Sequence, residues 1–217
     1  MTTSRRAFLG TVAGALIFAG GAARAAGGLG PLNEVRIGYQ KEGILAVVKQ
    51  RGAIEARLAK LGVRKVRWVL FKYGMPMMEA LGAGSIDIAS VGDTPPVFAQ
   101  AAGMNVLYVA AAPAAQNAIL VAPRSPLRSA ADLRGRKVAL VRGSSSHNFT
   151  IQALKAAGLQ FADIVPTFLD PADAERALMR GDVDAWTVWD PYIALAELRH
   201  KVRAIATNET IYPSSSF

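Results

Sequence analysis

The segment KVALVRGSSSHNFTIQALKAAG, residues 137–158, joins a short apolar run to a glycine, three serines and a histidine, and then to a helical pattern. The apolar positions of that pattern roughly suit one buried helix face: Phe149, Ile151, Ala153, Leu154 and Leu159. The serines therefore lie where a strand ends and a helix begins. Free N–H groups and the positive end of the helix dipole make such a position suitable for an anion, and hydroxyl groups add donors without adding charge.

Four roles are open for these serines: a nucleophile with His147 as its base, a phosphate cradle, an anion pocket, or a helix cap. A phosphate loop would need a lysine after the turn, and none follows here. A hydrolase elbow reads Gly-x-Ser-x-Gly, whereas Ser145 is followed by Ser146 and His147. We expect Ser145 or Ser146 to cap the helix. We also expect this turn to contact a ligand.

The composition predicts a globular protein without a thiol. The chain has 217 residues, 52% of them hydrophobic, and can bury one or two sizeable cores. It contains no cysteine, which excludes a disulfide framework, a cysteine-ligated metal site, a thiol nucleophile and a lipoprotein anchor. We expect no metal, no cofactor and no catalytic residue.

Residues 1–25 have the features of an export signal. Arg5 and Arg6 precede an apolar run from Val12 to Ala19, and a small-residue cleavage site follows at residues 23–25. The paired arginines resemble the twin-arginine translocation pattern, which implies a folded protein exported to the periplasm. A transmembrane anchor is the alternative, but the run is shorter than the ~20 residues that a span needs.

Charge indicates a small anionic ligand rather than a nucleic acid. The formal charge is +9, and removing residues 1–25 takes away three arginines and no acidic residue, which leaves +6. The remaining cations are scattered, with one cluster at Arg64, Lys65 and Arg67 that we interpret as a solvated face. An exported, mildly basic protein of this kind is compatible with binding a small anion.

Apolar runs alternate with helical patterns along the mature chain, which predicts an α/β fold with a largely parallel sheet. In the first half the strand-like runs are EVRIGYQ, KVRWVLF, IDIASVG and NVLYVAA, and a helical pattern, LAVVKQRGAIEARLAKLG, follows the first of them. The alternation restarts with NAILVAP and continues to VRAIAT. We predict two lobes, residues 33–115 and 116–207, joined near residues 112–117. Ligands bind at the carboxyl ends of the strands in such sheets.

A sequence pattern that occurs twice in the chain, called the internal echo below, supports two similar lobes. ALGAGSIDIASVGDTP begins at Ala80 and ALMRGDVDAWTVWDP begins at Ala177. The shared positions are Gly84, Asp87 and Asp93 in the first copy and Gly181, Asp184 and Asp190 in the second. Each copy reads as a helix stopped by glycine, a strand, and a new helix opened by aspartate with proline near its first turn. Two helix N-termini, one per lobe, would then face each other across a cleft.

Four segments together resemble a known family: GYQK at 38–41, EALGAGSIDIASVGDTPPVFAQAAG at 79–103, GSSSH at 143–147 and VDAWTVWDPY at 183–192. They resemble the aliphatic sulfonate-binding proteins of ABC importers, within a wider group that includes taurine and nitrate binders. The resemblance implies a type II periplasmic binding fold, in which two α/β lobes close on a ligand. It also implies a monomer that delivers an alkanesulfonate to an ABC permease in the inner membrane.

The resemblance also implies a set of ligand-binding residues: Gln40, Lys41, Gly92, Asp93, Thr94, Ser144, Ser145, Ser146, His147, Trp189 and Asp190. Neutral donors suit a sulfonate, which stays ionised and only accepts hydrogen bonds. A carboxylate would repel it, so we expect the two aspartates either to cap helices or to hold an amino substituent, and favour capping. One of Trp186 and Trp189 should lie in the core, and Trp189 is the better wall for an alkyl chain.

Other functions remain open at this point. The same fold could bind taurine, nitrate or a thiamine-precursor pyrimidine, and a secreted hydrolase could use Ser145 or Ser146. Chains of the resembling family return from the second lobe to complete the first, and residues 208–217 read as the start of that return. We therefore expect a truncated chain, with an incomplete and less stable first lobe.

Overall fold

The computed structural model describes residues 33–41, 43–111 and 115–211. The predicted signal at residues 1–25, residues 112–114 of the predicted junction and the last six residues of the predicted return lie outside these ranges. All described residues belong to one compact unit, Leu32–Phe217.

The described part of the chain alternates strands and helices, as the sequence predicts. The strands are β1 Glu34–Tyr39, β2 Lys65–Leu70, β3 Ile88–Ala89, β4 Asn117–Val121, β5 Lys137–Leu140, β6 Val165–Phe168, β7 Ala185–Trp189 and β8 Arg203–Thr207. The helices are α1 Ile44–Arg51, α2 Ala53–Ala59, α3 Gly74–Gly82, α4 Thr94–Ala101, α5 Ser145–Ala156, α6 Pro171–Arg180, α7 Tyr192–His200 and α8 Asn208–Ile211. None of these helices combines the length and hydropathy needed to cross a membrane.

The strands form two sheets. The first has the order β2-β1-β3 and is parallel, and the second has the order β6-β5-β7-β4-β8. In the second sheet β4 runs antiparallel to both of its neighbours, while β5 is parallel to β6 and β7. Because the parallel strands of each sheet end at the same edge, the loops that follow them gather there.

The second sheet is covered on both faces, which explains its continuous apolar strands. Every residue of β4 is buried: Ile119 and Val121 pack into one core with Phe149 and Leu154 of α5. Ala118 and Leu120 pack into a second core on the opposite face, with α6 and α7. Burial of this β4 on both sides makes the second sheet the best-packed part of the described chain.

The first sheet packs helices on both faces but is smaller. Val35 and Ile37 of β1 join Val63 in a small core. On the opposite face Gly38 leaves room for Met77 of α3 and for Ile86, since a Cβ at Gly38 would lie 3.0 Å from the Met77 Cγ and 2.6 Å from the Ile86 Cδ1. Gly38 therefore sets how closely α3 approaches the sheet.

The strand predicted at NVLYVAA is absent, so that prediction was wrong. Residues 104–111 are described without regular structure, and Leu107 and Val109 are each 85% exposed. A strand needs a neighbour for its backbone groups, and among the described residues β3 has a partner on one side only, β1. In the second sheet, the strand at the position equivalent to residues 105–111 is β8, which pairs with β4 alone. The described part of the first sheet contains no strand equivalent to β4, so residues 105–111 have no such partner there.

The helical pattern after β1 forms two helices rather than one. Gly52 adopts the left-handed conformation, φ 60°, and separates α1 from α2. Its N–H bonds to the Lys49 carbonyl, which ends α1. The periodicity alone did not reveal this break, because both helices present apolar residues to the same core.

The internal echo extends to individual hydrogen bonds. Asp87 accepts a bond from the Arg36 N–H at 2.7 Å, and Asp184 accepts one from the Lys137 N–H at 2.8 Å. In return, the N–H of each aspartate donates to the carbonyl of the same partner. Each aspartate thus fixes the start of a strand in the interior of its sheet, and each is followed by a strand and a helix, β3 and α4 after Asp87 and β7 and α7 after Asp184.

Candidate functional site

The two sheets meet where α4 and α5 begin. Gly92, just before α4, lies against Ser145 at the start of α5: a Cβ at Gly92 would be 3.3 Å from the Ser145 Cβ. Gly143, with φ 72°, lies against Met75 of α3 in the same way, its added Cβ 3.2 Å from the Met75 sulfur. This contact joins α4 to α5, whereas the sequence paired α4, the helix opened by Asp93, with α7, the helix opened by Asp190.

An ion pair also joins two loops, one that follows a strand of the first sheet and one that follows a strand of the second. Lys72, after β2, lies 2.8 Å from the Asp170 carboxylate, after β6. The pKa of Lys72 is raised, mainly by this hydrogen bond and then by the charge of Asp170. Lys72 and Asp170 both follow parallel strands, so the ion pair links the loops at the strand ends of the two sheets.

A cleft of about 340 Å³ lies between α4 and α5. Its lining comes from the first two turns of each helix: Asp93, Thr94, Val97, Phe98, His147, Asn148 and Ile151. The i, i+3 and i+4 spacing of these residues places them on one face of each helix. Three of the eleven predicted site residues, Asp93, Thr94 and His147, therefore line this cleft together.

Ser144, rather than Ser145 or Ser146, caps α5. Ser144 is the last residue with extended dihedrals, φ −90° and ψ 173°, and its hydroxyl accepts from the His147 N–H at 3.3 Å. The predicted cap was one or two residues too late, because Ser145 and Ser146 already belong to the helix. The Ser144 hydroxyl also donates to the Val141 carbonyl at 2.7 Å and lies 2.8 Å from the buried Ser146 hydroxyl.

Ser145 faces the contact between the sheets. Its hydroxyl donates to the side-chain oxygen of Asn117 at 3.2 Å. Asn117 opens β4 and is only 8% exposed, so it is a polar site residue that the sequence interpretation missed. The signal was an amide at the start of an otherwise apolar strand. Among the described contacts, Ser145 bonds to Asn117 and the His147 ring bonds to the Gly143 N–H, so these two side chains are not hydrogen-bonded to each other.

His147 is held in one orientation. Its Nδ1 accepts from the Gly143 N–H at 3.1 Å, and its ring packs against Phe161 and Phe168. Burial, and secondly the positive charge of Arg142, lower the pKa of His147. The neutral ring then carries its proton on Nε2, which makes His147 a neutral donor.

The two aspartates differ. The carboxylate of Asp190 accepts a long hydrogen bond from the Ala194 N–H in the first turn of α7, at 3.4 Å, although Pro191 and not Asp190 is the N-cap of that helix. Asp93 precedes α4 but makes no capping bond, so the capping prediction was wrong there. Its dihedrals, φ −61° and ψ −34°, are already helical, and its carboxylate accepts instead from the Thr94 hydroxyl at 2.8 Å.

The remaining predicted residues do not line the α4–α5 cleft. Gln40 donates weakly to the Ser90 carbonyl at 3.4 Å, and Lys41 is exposed. Trp186 lies in the core, 1% exposed, as predicted for one of the two tryptophans. Trp189 is half-buried and packs edge-on against Tyr192. The described residues contain no group of three or more acidic or histidine side chains that could hold a metal.

Comparison with known proteins places the chain in a family. Residues 46–217 match the family model described as "ABC transporter, phosphonate, periplasmic substrate-binding protein". The chain belongs to the family of periplasmic substrate-binding proteins of ABC transporters. A relative from Escherichia coli (strain K12), described by name as an aliphatic sulfonates-binding protein, is 47% identical over 186 residues, which are 84% of this chain and 57% of that protein. This member of the family thus spans a little over half the length of that relative.

Solved structures of substrate-binding proteins are also similar. The periplasmic aliphatic sulphonate binding protein SsuA from Escherichia coli matches with a TM-score of 0.70 at 45% identity, over 83% of this chain and 58% of that one. The alkanesulfonate-binding protein SsuA from Xanthomonas axonopodis pv. citri, bound to MOPS, matches with a TM-score of 0.75 at 39% identity, over 85% and 64%. The predicted fold, two α/β lobes of the type II periplasmic binding class with a cleft between them, is confirmed.

Proposed function

We propose that the protein captures an aliphatic sulfonate between its lobes, predicted at residues 33–115 and 116–207, and delivers it as a monomer to an ABC permease in the inner membrane. The observation that carries this is the contact between Gly92 and Ser145, which brings the N-termini of α4 and α5 to one point. The start of α5 offers free N–H groups and a positive dipole end, whereas α4 adds its dipole end and the Thr94 N–H only, because Pro95 and Pro96 have no N–H to donate. An anion held there gains donors from both lobes.

The donor chemistry favours a monovalent oxyanion. The described residues that line the cleft include the hydroxyl of Thr94, the imidazole of His147 and the amide of Asn148, but no lysine or arginine. A sulfonate carries one charge and only accepts hydrogen bonds, so neutral donors satisfy it. A phosphonate, named in the family description, can carry two charges and would gain more from a basic side chain.

The ligand contacts proposed here fall into two groups. Thr94, Ser145 and His147 lie nearest the meeting of the two helices, and Gly92 lets the lobes approach. The hydroxyl groups of Thr94 and Ser145 donate to Asp93 and Asn117 in this structure and would turn towards the ligand on binding. The others, Gln40, Lys41, Trp189 and Asp190, lie at strand ends outside the α4–α5 cleft and remain predictions from resemblance. Ser144 and Ser146 are buried, and their hydroxyl groups are hydrogen-bonded to each other. These two serines therefore shape the turn, and their hydroxyl groups do not reach a ligand.

Calorimetric titration of the purified chain tests the function. Butanesulfonate, butylphosphonate, nitrate and the thiamine-precursor pyrimidine would be titrated separately at neutral pH. We expect saturable, one-site binding of the sulfonate, and weaker or no binding of the other three. Tighter binding of the phosphonate or the pyrimidine than of any sulfonate would refute the proposed ligand class, and turnover of an ester substrate would favour the hydrolase alternative.

Export by the twin-arginine route is the second part of the proposal. Arg5 and Arg6 lie outside the described residues, so only the sequence pattern supports it. Changing both to lysine should stop delivery to the periplasm, because the pathway recognises the paired arginines. Arg24→Lys, a charge-matched change near the predicted cleavage site, serves as the control. Normal periplasmic delivery of the double variant would remove the assignment.

A further inference from the structure

Asn117 is a buried polar residue that lies beside Ser145, one of the proposed ligand contacts. It opens β4 and is 8% exposed. Its backbone N–H donates to the side-chain oxygen of Asn208, just after β8, at 3.0 Å. The carbonyl of the preceding residue, Gln116, accepts from the N–H of Asp190, just after β7, at 3.1 Å. The backbone at the start of β4 is therefore fixed between the ends of β7 and β8.

The side-chain amide of Asn117 is held less firmly than its backbone. Its oxygen accepts from the Ser145 hydroxyl at 3.2 Å, and its nitrogen donates to the Ala115 carbonyl at 3.4 Å, a long and therefore weak bond. The Ala115 carbonyl also accepts from the side-chain nitrogen of Asn208, at 3.3 Å, so it does not depend on Asn117. The Asn117 amide can therefore rotate about its Cβ–Cγ bond at little cost to the residues around it.

Ligand binding at Ser145 would take a donor away from this buried amide. The Ser145 hydroxyl has one proton, which it donates to the Asn117 oxygen in this structure. A sulfonate only accepts hydrogen bonds, so the same proton has to turn to the ligand. A buried oxygen that loses its donor in this way destabilises the bound state. Rotation of the amide removes that cost, because the NH2 group of Asn117 then donates to the Ser145 oxygen.

We infer that Asn117 is a positioning residue for the proposed sulfonate: its amide accepts from Ser145 in this structure and donates to Ser145 once a sulfonate is bound. The Asn117 amide, the Ser145 hydroxyl and the sulfonate then form a chain of hydrogen bonds that all point towards the anion, and each bond polarises the next. This inference rests on the proposed function and deepens it, because it names a residue that acts on the ligand through Ser145.

A double-mutant cycle on the affinity for butanesulfonate tests the inference. Asn117→Leu and Asn117→Ala both remove the amide, and calorimetry measures the effect of each in the wild-type chain and in Ser145→Ala. Asn208→Ala is the control, because it removes the hydrogen bond to the Asn117 backbone and leaves the Asn117 amide in place. Thermal melts give the stability of every variant.

We expect each Asn117 variant to weaken butanesulfonate binding about three- to tenfold in the wild-type chain, and less than about twofold in Ser145→Ala. The leucine and alanine substitutions should differ in their cost to stability but show the same coupling to Ser145, which a purely structural role would not produce. Any loss caused by Asn208→Ala should be equal with and without Ser145→Ala.

Nuclear magnetic resonance gives a second readout that needs no variant. The side-chain NH2 signals of Asn117, assigned in the wild-type chain, should shift when butanesulfonate saturates the protein, because their hydrogen-bond partner changes. Unchanged NH2 signals would overturn the inference and leave the proposed function standing. Equal losses of affinity in both backgrounds, or unchanged affinity in folded Asn117→Leu, would do the same. Failure of the wild-type chain to bind butanesulfonate would instead overturn the proposed function, and the inference with it.

Discussion

Gly92 lies against Ser145 of the other lobe, with little space for a side chain between them. A Cβ built on Gly92 would lie 3.3 Å from the Ser145 Cβ and 3.4 Å from its hydroxyl oxygen. Gly92 does not have a positive φ, so its backbone does not require glycine. The need for a small residue comes from Ser145 of the opposite lobe. The size of the side chain at residue 92 therefore limits how closely the lobes approach.

Substituting Gly92 should therefore hinder closure. Gly92→Ala should weaken ligand binding modestly, and Gly92→Leu should weaken it strongly, because overpacking at a close contact costs about 1–3 kcal/mol. Calorimetry measures the affinity, and small-angle X-ray scattering measures the radius of gyration, which should increase in the leucine variant. Unchanged affinity and radius in Gly92→Leu, with an unchanged melting temperature, would show that this contact does not limit closure.

Parts of the fold that depend on local pattern could be predicted from the sequence. The echo around Asp87 and Asp184 fixed the strand–helix order, and the buried run at 117–121 forms the central antiparallel strand. A strand was expected at 105–111, and its absence could not be predicted from the sequence. Whether an apolar run forms a strand depends on a partner elsewhere in the chain. The cap of α5 was missed for a similar reason: three adjacent serines all suit a cap, and only the backbone dihedrals distinguish Ser144.

Asp87 should make the first sheet sensitive to acid. Its hydrogen bond from the Arg36 side chain is the main cause that holds the pKa of Asp87 below its ordinary value. Stabilisation by this carboxylate is therefore present above the unfolded-state pKa of about 3.9 and is lost as the pH falls through the lower folded-state pKa. Asp87→Asn should lower the free energy of unfolding by about 1 kcal/mol at pH 7, a modest value because the pair is partly exposed.

Chemical denaturation at pH 7 and at acid pH checks the Asp87 prediction. The difference between Asp87→Asn and the wild-type chain should shrink as the pH falls below the folded-state pKa of the carboxylate. Asp173→Asn, which removes an exposed carboxylate paired with Arg176 on α6, is the control and should have little effect. A constant difference at all pH values would mean that the charge of Asp87 is not what stabilises the strand.

His147 should reduce stability when the solution is mildly acidic. Its pKa is lowered in the folded chain by burial and by Arg142, and Asp93 is the acidic group that faces it across the cleft. Below about pH 6.5 the unfolded chain binds a proton that the folded chain resists, so the free energy of unfolding should fall as the pH decreases towards the folded-state pKa. Protonation would also remove the acceptor at Nδ1 that holds the Gly143 N–H.

The chain has two histidines, which makes the His147 prediction easy to isolate. Thermal melts between pH 7.5 and 5 would compare the wild-type chain with His147→Asn and His200→Gln. The first variant should flatten the pH dependence, while the second, on α7 beside Glu175, should leave most of it in place. If His147→Asn melts with the same pH dependence as the wild-type chain, the ring does not resist protonation.

Two serines at the start of α5 should have different roles: Ser144 should stabilise the fold, and Ser145 should bind the ligand. Ser144→Ala removes the cap of α5 and should cost about 1 kcal/mol of stability. Ser145→Ala should leave the fold nearly intact and weaken sulfonate binding by about 1.5–3 kcal/mol, the range for a hydrogen bond to a charged group. Ser145→Asp should bind more weakly still, because it places a negative charge where the anion lies. Calorimetry beside thermal melts of all three variants distinguishes the two roles, and unchanged affinity in folded Ser145→Asp would exclude Ser145 from the site.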